Sequence, residues 1–216
     1  MGGVSTDRTP AVHRRSVLAG AVLAAVSGCT ASRRGADERR GTRSRVLLAY
    51  FSRAGENYWN GGRRRLAVGN TQVVAETIGR LIACDLHRIE AADPYPDAYD
   101  PMVARNVREQ RADARPAIAT PLPSIDRYHT VLLGSPIWNV RAPMIMSTFT
   151  EGLDLIGKTV HPFTTHATSG LGTTERDYAE SCPGANPGEG LAIRGVEAAD
   201  ATPAVEAWLR RIGLKP

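Results

Sequence analysis

No CxxC pair, no HExxH and no cluster of His and Asp occurs in this sequence, so the expected metal complement is none. Three cysteines, Cys29, Cys84 and Cys182, are too few for a disulfide framework; at most Cys84 and Cys182 form a pair, and isolated buried thiols are the alternative. The Gly-x-Gly-x-x-Gly of a Rossmann dinucleotide domain is missing, as is the Gly-x-Ser-x-Gly elbow of serine hydrolases. There is no internal repeat, and no apolar run approaches the roughly 20 residues that a spanning helix needs.

A surplus of basic residues is present, but it is confined. The formal charge is +5. Residues 1–28 hold three Arg against one Asp, and residues 29–45 hold six Arg against Asp37 and Glu38, so the chain from Val46 onward is within one charge of neutral. The high isoelectric point therefore gives no reason to expect nucleic-acid binding by the folded part. At 216 residues, one domain is expected.

The amino terminus reads as processing information. "HRRSVLAGAVLAAVSGC" has a basic start at His13 to Arg15, an apolar run from about Val17 to Val26, and small residues ahead of Cys29. The paired Arg14 and Arg15 resemble a twin-arginine export signal, and "VSGC" resembles a lipoprotein cleavage box with Cys29 as the lipidated residue. The expected division is an export signal at 1–28, a flexible tether at 29–45 rich in Arg, Ser and Gly, and a domain at 46–216. The implied location is exported and attached to the outer face of the cytoplasmic membrane, with a secreted or periplasmic protein as the alternative.

Within the domain, "VLLAYF" is a continuous apolar run, as suits a strand buried on both faces of a parallel sheet. From Thr71 to about Ala83, Val74, Ile78, Leu81 and Ile82 recur at helical spacing. "DLHRIE", "YHTVLLGSP", "KTVHPFTTH" and "GLAIRG" read as further strands. Helices are expected around Met102 to Ala112, within Ala142 to Gly152, over Thr174 to Glu180, and after Thr202, with Thr202 as N-cap and Pro203 in the first turn. Alternating strands and helices predict an open α/β sandwich with a mostly parallel sheet, and its functional loops belong beyond the carboxyl ends of the strands. Ser52 to Asn70, Ser135 to Ala142 and Thr165 to Gly172 occupy that position.

The first loop has the makings of an anion site. Ser52, Ala54 and Gly55 follow a strand, and Gly69, Asn70 and Thr71 open a helix, where free N–H groups and the helix dipole favour a phosphate. The alternative is ordinary capping by Ser52, Asn70 or Thr71. Between these ends lies an insert, Glu56 to Val68, carrying Tyr58, Trp59 and Arg63 to Arg65. Arg53 and the three insert arginines are expected to face solvent.

"VLLAYFSRAGE", "VGNTQVVAETIG", "LLGSPIWNVRAP" and "GKTVHPFTTHATSGLG", four segments in order and each tied to a strand end, resemble the flavodoxin family, in particular its longer subgroup. The resemblance implies a three-layer sandwich around a five-stranded, mostly parallel sheet, with FMN as cofactor. It implies phosphate contacts from Ser52, Asn70 and Thr71, with Ala54 replacing a threonine so that only its N–H is left to donate. Pro136, Trp138 and Asn139 would lie against the isoalloxazine, and Thr165, His166, Ser169 and Gly170 would receive its pyrimidine edge. No residue is assigned a catalytic role; His166 is expected to position or hydrogen-bond.

The implied function is electron transfer by an FMN flavoprotein with a redox partner protein. Two alternatives stand beside it: an FMN-dependent NAD(P)H:quinone-type oxidoreductase, and an interaction protein with a degenerate flavin site.

Overall fold

Parallel order governs the whole central sheet in this computed structural model, which describes residues 46–215. The expected signal and tether, 1–28 and 29–45 with Cys29, lie outside the described residues. The first strand, β1 (Val46–Phe51), is flanked by β4 (Asp85–Ile89) on one side and β5 (Thr130–Pro136) on the other. β6 (Thr159–His166) follows β5, and the last position is shared by two short strands, β7 (Asn186–Pro187) and β8 (Leu191–Arg194), both parallel to β6. The order is thus β4-β1-β5-β6-β7/β8, five positions with the fifth split.

Side-chain alternation along β1 builds two cores. Leu47, Ala49 and Phe51 join a cluster with Met102, Ile145, Met146, Phe149 and Tyr178, which places α2 (Tyr99–Arg111), α3 (Ile145–Glu151) and α4 (Thr174–Ser181) on one face. Val46, Leu48 and Tyr50 join Val74, Ile78, Val205, Trp208 and Leu209, so α1 (Asn70–Leu81) and α5 (Thr202–Arg211) cover the other. Gly134 of β5 makes this second packing possible. A Cβ there would lie 2.1 Å from Cζ of Phe163, its neighbour in register on β6.

The strands and helices expected from the sequence are present, with boundary differences that have physical causes. α2 begins at Tyr99, ahead of Pro101, because proline is tolerated in a first turn whose N–H groups lack carbonyl partners. α5 starts at Thr202, with Ala201 as N-cap in place of the expected Thr202.

Two expectations are corrected, and one left open is decided. The insert is an antiparallel hairpin, β2 (Gly55–Trp59) and β3 (Gly62–Leu66), with the left-handed Asn60 and Gly61 at its turn. Arg53 is 9 % exposed instead of solvent-facing. Its Nη1 donates to the carbonyls of Pro96 and Asp97 at 2.9 and 3.0 Å, and its Nη2 to that of Glu56. Cys84 and Cys182 are both free thiols, and they belong to the cores on opposite faces of the sheet.

Candidate functional site at the strand ends

α1 connects β1 to β4 on one side of β1, whereas the chain from β4 returns through α2 to β5 on the other. The crevice between the ends of β1 and β5 is therefore a topological switch point. A cavity of about 850 Å³ opens there. Ligand cavities span roughly 300 to 1,000 Å³, so this one lies in the upper part of the range.

One wall comes from the three strand-end loops. Ser52, just past β1, is buried, and its Oγ accepts the N–H of Gln72 at 3.1 Å. This contact closes the first loop on the start of α1 across 20 residues of sequence. Gly69 sits in the join: a Cβ there would lie 2.4 Å from both the Arg53 carbonyl and Ser52 Oγ. The N–H groups of Asn70 and Thr71, first in the helix, have no intrahelical carbonyl to bond. Thr71 Oγ1 is 2.7 Å from Thr165 Oγ1 at the end of β6, linking the first loop to the third. Both threonines are buried, at 1 % and 5 % exposure.

The second loop is a tight turn. Trp138 N–H donates to the Arg141 carbonyl at 3.0 Å, with Asn139 in the left-handed region at φ 65° that asparagine tolerates better than most residues. Gln110 of α2 donates to the Trp138 carbonyl at 3.1 Å, and the Ser169 hydroxyl donates to the Asn139 carbonyl at 3.4 Å. Trp138 is only 7 % exposed; its indole meets Phe51 and Tyr95 edge-on, with ring centroids 5.6 and 4.9 Å away.

Of the residues selected from the sequence, Ser52, Asn70, Thr71, Pro136, Trp138, Asn139, Thr165, His166 and Ser169 line this one cavity. Ala54 and Gly170 do not. Ala54 precedes the hairpin, and the Gly170 carbonyl accepts the Thr164 hydroxyl at 3.0 Å. His166 has a buried Nδ1 with no hydrogen-bond partner among the described residues, and burial, reinforced by the Arg194 guanidinium, holds its pKa below the usual histidine value. The ring is thus neutral near pH 7.

The insert, expected at the rim of the site, forms a second wall together with a face of α2 that no sequence signal marked. This wall comes from the hairpin, with Asn57, Tyr58, Asn60 and Gly61, and from one face of α2, with Tyr99, Met102, Val103, Asn106 and Val107. The hairpin is fastened to the start of α2. Besides the Arg53 bonds, Glu56 N–H donates to the Asp97 carbonyl at 2.8 Å, Tyr99 N–H to Glu56 Oε2 at 2.9 Å, and Arg63 holds Asp100 through two bonds of 2.6 and 2.8 Å. Arg65 pairs with Asp97, and Arg64 lies over the Trp59 ring at 4.6 Å. The three arginines are exposed, as expected, but each is engaged within the hairpin and its support.

One further segment bears on nucleotide chemistry. "GLDLIGKT", Gly152 to Thr159, spells the G-x-x-x-x-G-K-T pattern of nucleotide hydrolases. Here it leads from α3 into β6, the reverse of the strand-to-helix order that a phosphate loop requires, and Lys158 Nζ donates to the Tyr128 carbonyl at 2.9 Å. It is a connection without phosphate-loop geometry.

Fold and site together define a doubly wound α/β sandwich with a ligand cavity at its switch point. The family profile described as Flavodoxin matches residues 64–212. The chain belongs to the flavodoxin family and has its flavoprotein fold. Among solved structures, a candidate flavoprotein from Bacteroides eggerthii is 33 % identical, with 79 % of this chain and 98 % of that one covered and a TM-score of 0.62. One from Bacteroides uniformis is 30 % identical, covering 76 % and 97 %, with a TM-score of 0.63. A flavoprotein from Lactobacillus acidophilus, solved in complex with FMN, shares the fold at 17 % identity, covering 76 % and 97 %, with a TM-score of 0.55. No curated protein matches.

Proposed function

We propose that this chain is an FMN-binding flavoprotein that performs electron transfer, exported and held at the outer face of the cytoplasmic membrane through Cys29. The observation that carries the cofactor assignment is the convergence of Ser52, the first turn of α1 and Thr165 on one cavity. The donor set suits a phosphate monoester. The N–H groups of Asn70 and Thr71 are joined by the Ser52 hydroxyl and by the one proton that the Thr71–Thr165 pair leaves over, at the positive end of a 12-residue helix. The FMN complex of the Lactobacillus acidophilus flavoprotein, on the same fold, supports the choice of cofactor.

When bound, FMN would supply one- or two-electron transfer through its isoalloxazine ring. The chain's part is to anchor the phosphate, to seat the ring beside the Trp138–Arg141 turn, and to present the neutral His166 and the Ser169 hydroxyl at the cavity edge. Loss of the Ala54 side-chain donor is made up by the Thr71–Thr165 pair. An electron carrier meeting a redox partner protein needs nothing more.

The decisive test is to purify the domain and titrate it with FMN. Uptake of one equivalent, with flavin absorbance and quenched flavin fluorescence, is expected; a protein that stays colourless in excess FMN refutes the cofactor assignment. For the location, mass spectrometry of the mature amino terminus is expected to find a lipid-modified Cys29, and an unprocessed Met1 refutes the tether.

A further inference from the structure

We infer that the hairpin–α2 wall is a second ligand subsite, which takes a neutral aromatic ring bearing a hydroxyl or carbonyl and holds it through the side-chain amide of Asn106. The inference rests on the flavin reading only for what occupies the other wall. Asn106 is 3 % exposed and lines the cavity, yet its buried Oδ1 has no hydrogen-bond partner among the described residues. Buried polar groups are seldom left so, because the lost hydration is not repaid. Its helical neighbours Met102 and Val103 also line the cavity, and Tyr58 reaches it from the hairpin with 44 % of its surface exposed.

The chemistry of this wall selects its ligand. α2 is rich in charge, with Arg105, Arg108, Glu109 and Arg111, but the face it gives to the cavity carries Tyr99, Met102, Val103, Asn106 and Val107 and no charge. Apolar side chains and an exposed tyrosine ring favour a flat apolar body over an anion. A lone amide adds one directional contact: its carbonyl accepts from a ring hydroxyl, and its NH2 donates to a ring carbonyl. The fastened hairpin keeps this wall in place without a ligand, so the ordering cost of binding is small.

The test uses the full chain, equilibrium dialysis, and two rings of one shape: 2-naphthol, and naphthalene as the ring without the hydroxyl. Wild type should bind 2-naphthol about tenfold more tightly than naphthalene, as one buried hydrogen bond allows. That preference should persist with FMN at saturation. Asn106→Leu should erase it while raising the unfolding midpoint of the ligand-free protein, because an unpartnered carbonyl has been removed. Tyr58→Ala, at an exposed position that leaves the cores intact, should weaken both rings several-fold and keep their ratio. Equal binding of the two rings by wild type overturns the inference. So do an unchanged preference in Asn106→Leu, unchanged affinities in Tyr58→Ala, and release of 2-naphthol by FMN. Release by FMN would assign this wall to the cofactor and leave the flavin reading standing; absent FMN uptake with an intact naphthol preference would do the reverse.

Discussion

The Thr71–Thr165 pair allows stability and cofactor binding to be separated by two substitutions. Thr71→Val removes one hydroxyl of a 2.7 Å contact and leaves Thr165, 5 % exposed, with its hydroxyl unpaired. Stranding a buried polar group costs about 1–3 kcal/mol. For a domain of this size, each kcal/mol lowers Tm by roughly 2–4 °C. Thr165→Val strands Thr71, 1 % exposed, in the same way. Thr71→Val with Thr165→Val strands neither, since valine keeps the shape and both polar groups are gone. The double variant is therefore expected to be destabilised by less than the sum of the single variants, with a coupling of about 1 kcal/mol or more. FMN affinity should behave differently. Each single variant keeps one hydroxyl and its proton, whereas the double has neither, so the double should bind FMN at least tenfold more weakly, the low end for a hydrogen bond to a charged group. Urea unfolding gives the first quantity and flavin fluorescence titration the second. Additive stabilities would refute the partnership of the two hydroxyls, and a wild-type FMN affinity in the double would refute their place at the phosphate.

Gly134→Ala should lower stability by about 1–3 kcal/mol in urea unfolding, because its methyl meets the Phe163 ring in a core without slack; an unchanged midpoint would contradict the packing. Arg53→Met should free the hairpin from the Pro96 and Asp97 carbonyls and speed amide hydrogen exchange across residues 55–66, whereas Arg64→Ala, which removes a guanidinium stacked on the Trp59 ring, should not. His87 and His166 are both held below the usual histidine pKa, His87 by burial against Phe149 and His166 by burial and then Arg194. The unfolded chain therefore takes up these protons first, so stability should be constant above about pH 6.5 and fall as pH drops below it, and His87→Phe should flatten part of that fall in urea midpoints measured from pH 8 to 5. Burial raises the Cys84 thiol pKa to about 11, so at pH 8 intact protein should react with iodoacetamide far more slowly than unfolded protein, as followed by mass spectrometry.

The parts of this molecule that could be read from the chain were those whose environment leaves a local mark. A strand buried on both faces favours a near-continuous apolar run, and β1 and the Val131–Leu133 stretch of β5 announce themselves that way, while β6 carries buried polar residues such as His161 and Thr164. The ends of the first loop were legible because polar Asn-Thr ahead of an amphipathic run is a helix-start signal, and α1 does begin at Asn70. The hairpin was not. "GENYW" and "GRRRL" show no apolar alternation, since their support comes from Asp97, Asp100 and Tyr99, some 40 residues away. Arg53 looked like a surface charge because its acceptors are main-chain carbonyls, which have no sequence signature. Asn106 sits in a helix dominated by charge, and only the fold decides which of its faces looks into the cavity. Whether Cys84 and Cys182 could meet depended on which side of the sheet each faces, and spacing is silent on that.

The divided fifth strand closes one border of the sheet to further pairing. An uninterrupted outer strand would offer a row of free N–H and C=O groups on which a second sheet could grow. Here that border is cut into pieces of two and four residues, the first ends in Pro187, which has no N–H to give, and Gly188 turns its own N–H inward to the Val160 carbonyl. A neighbouring chain finds no straight template along this side. Any strand added to this sheet is therefore left with the opposite border, where β4 runs unbroken for five residues.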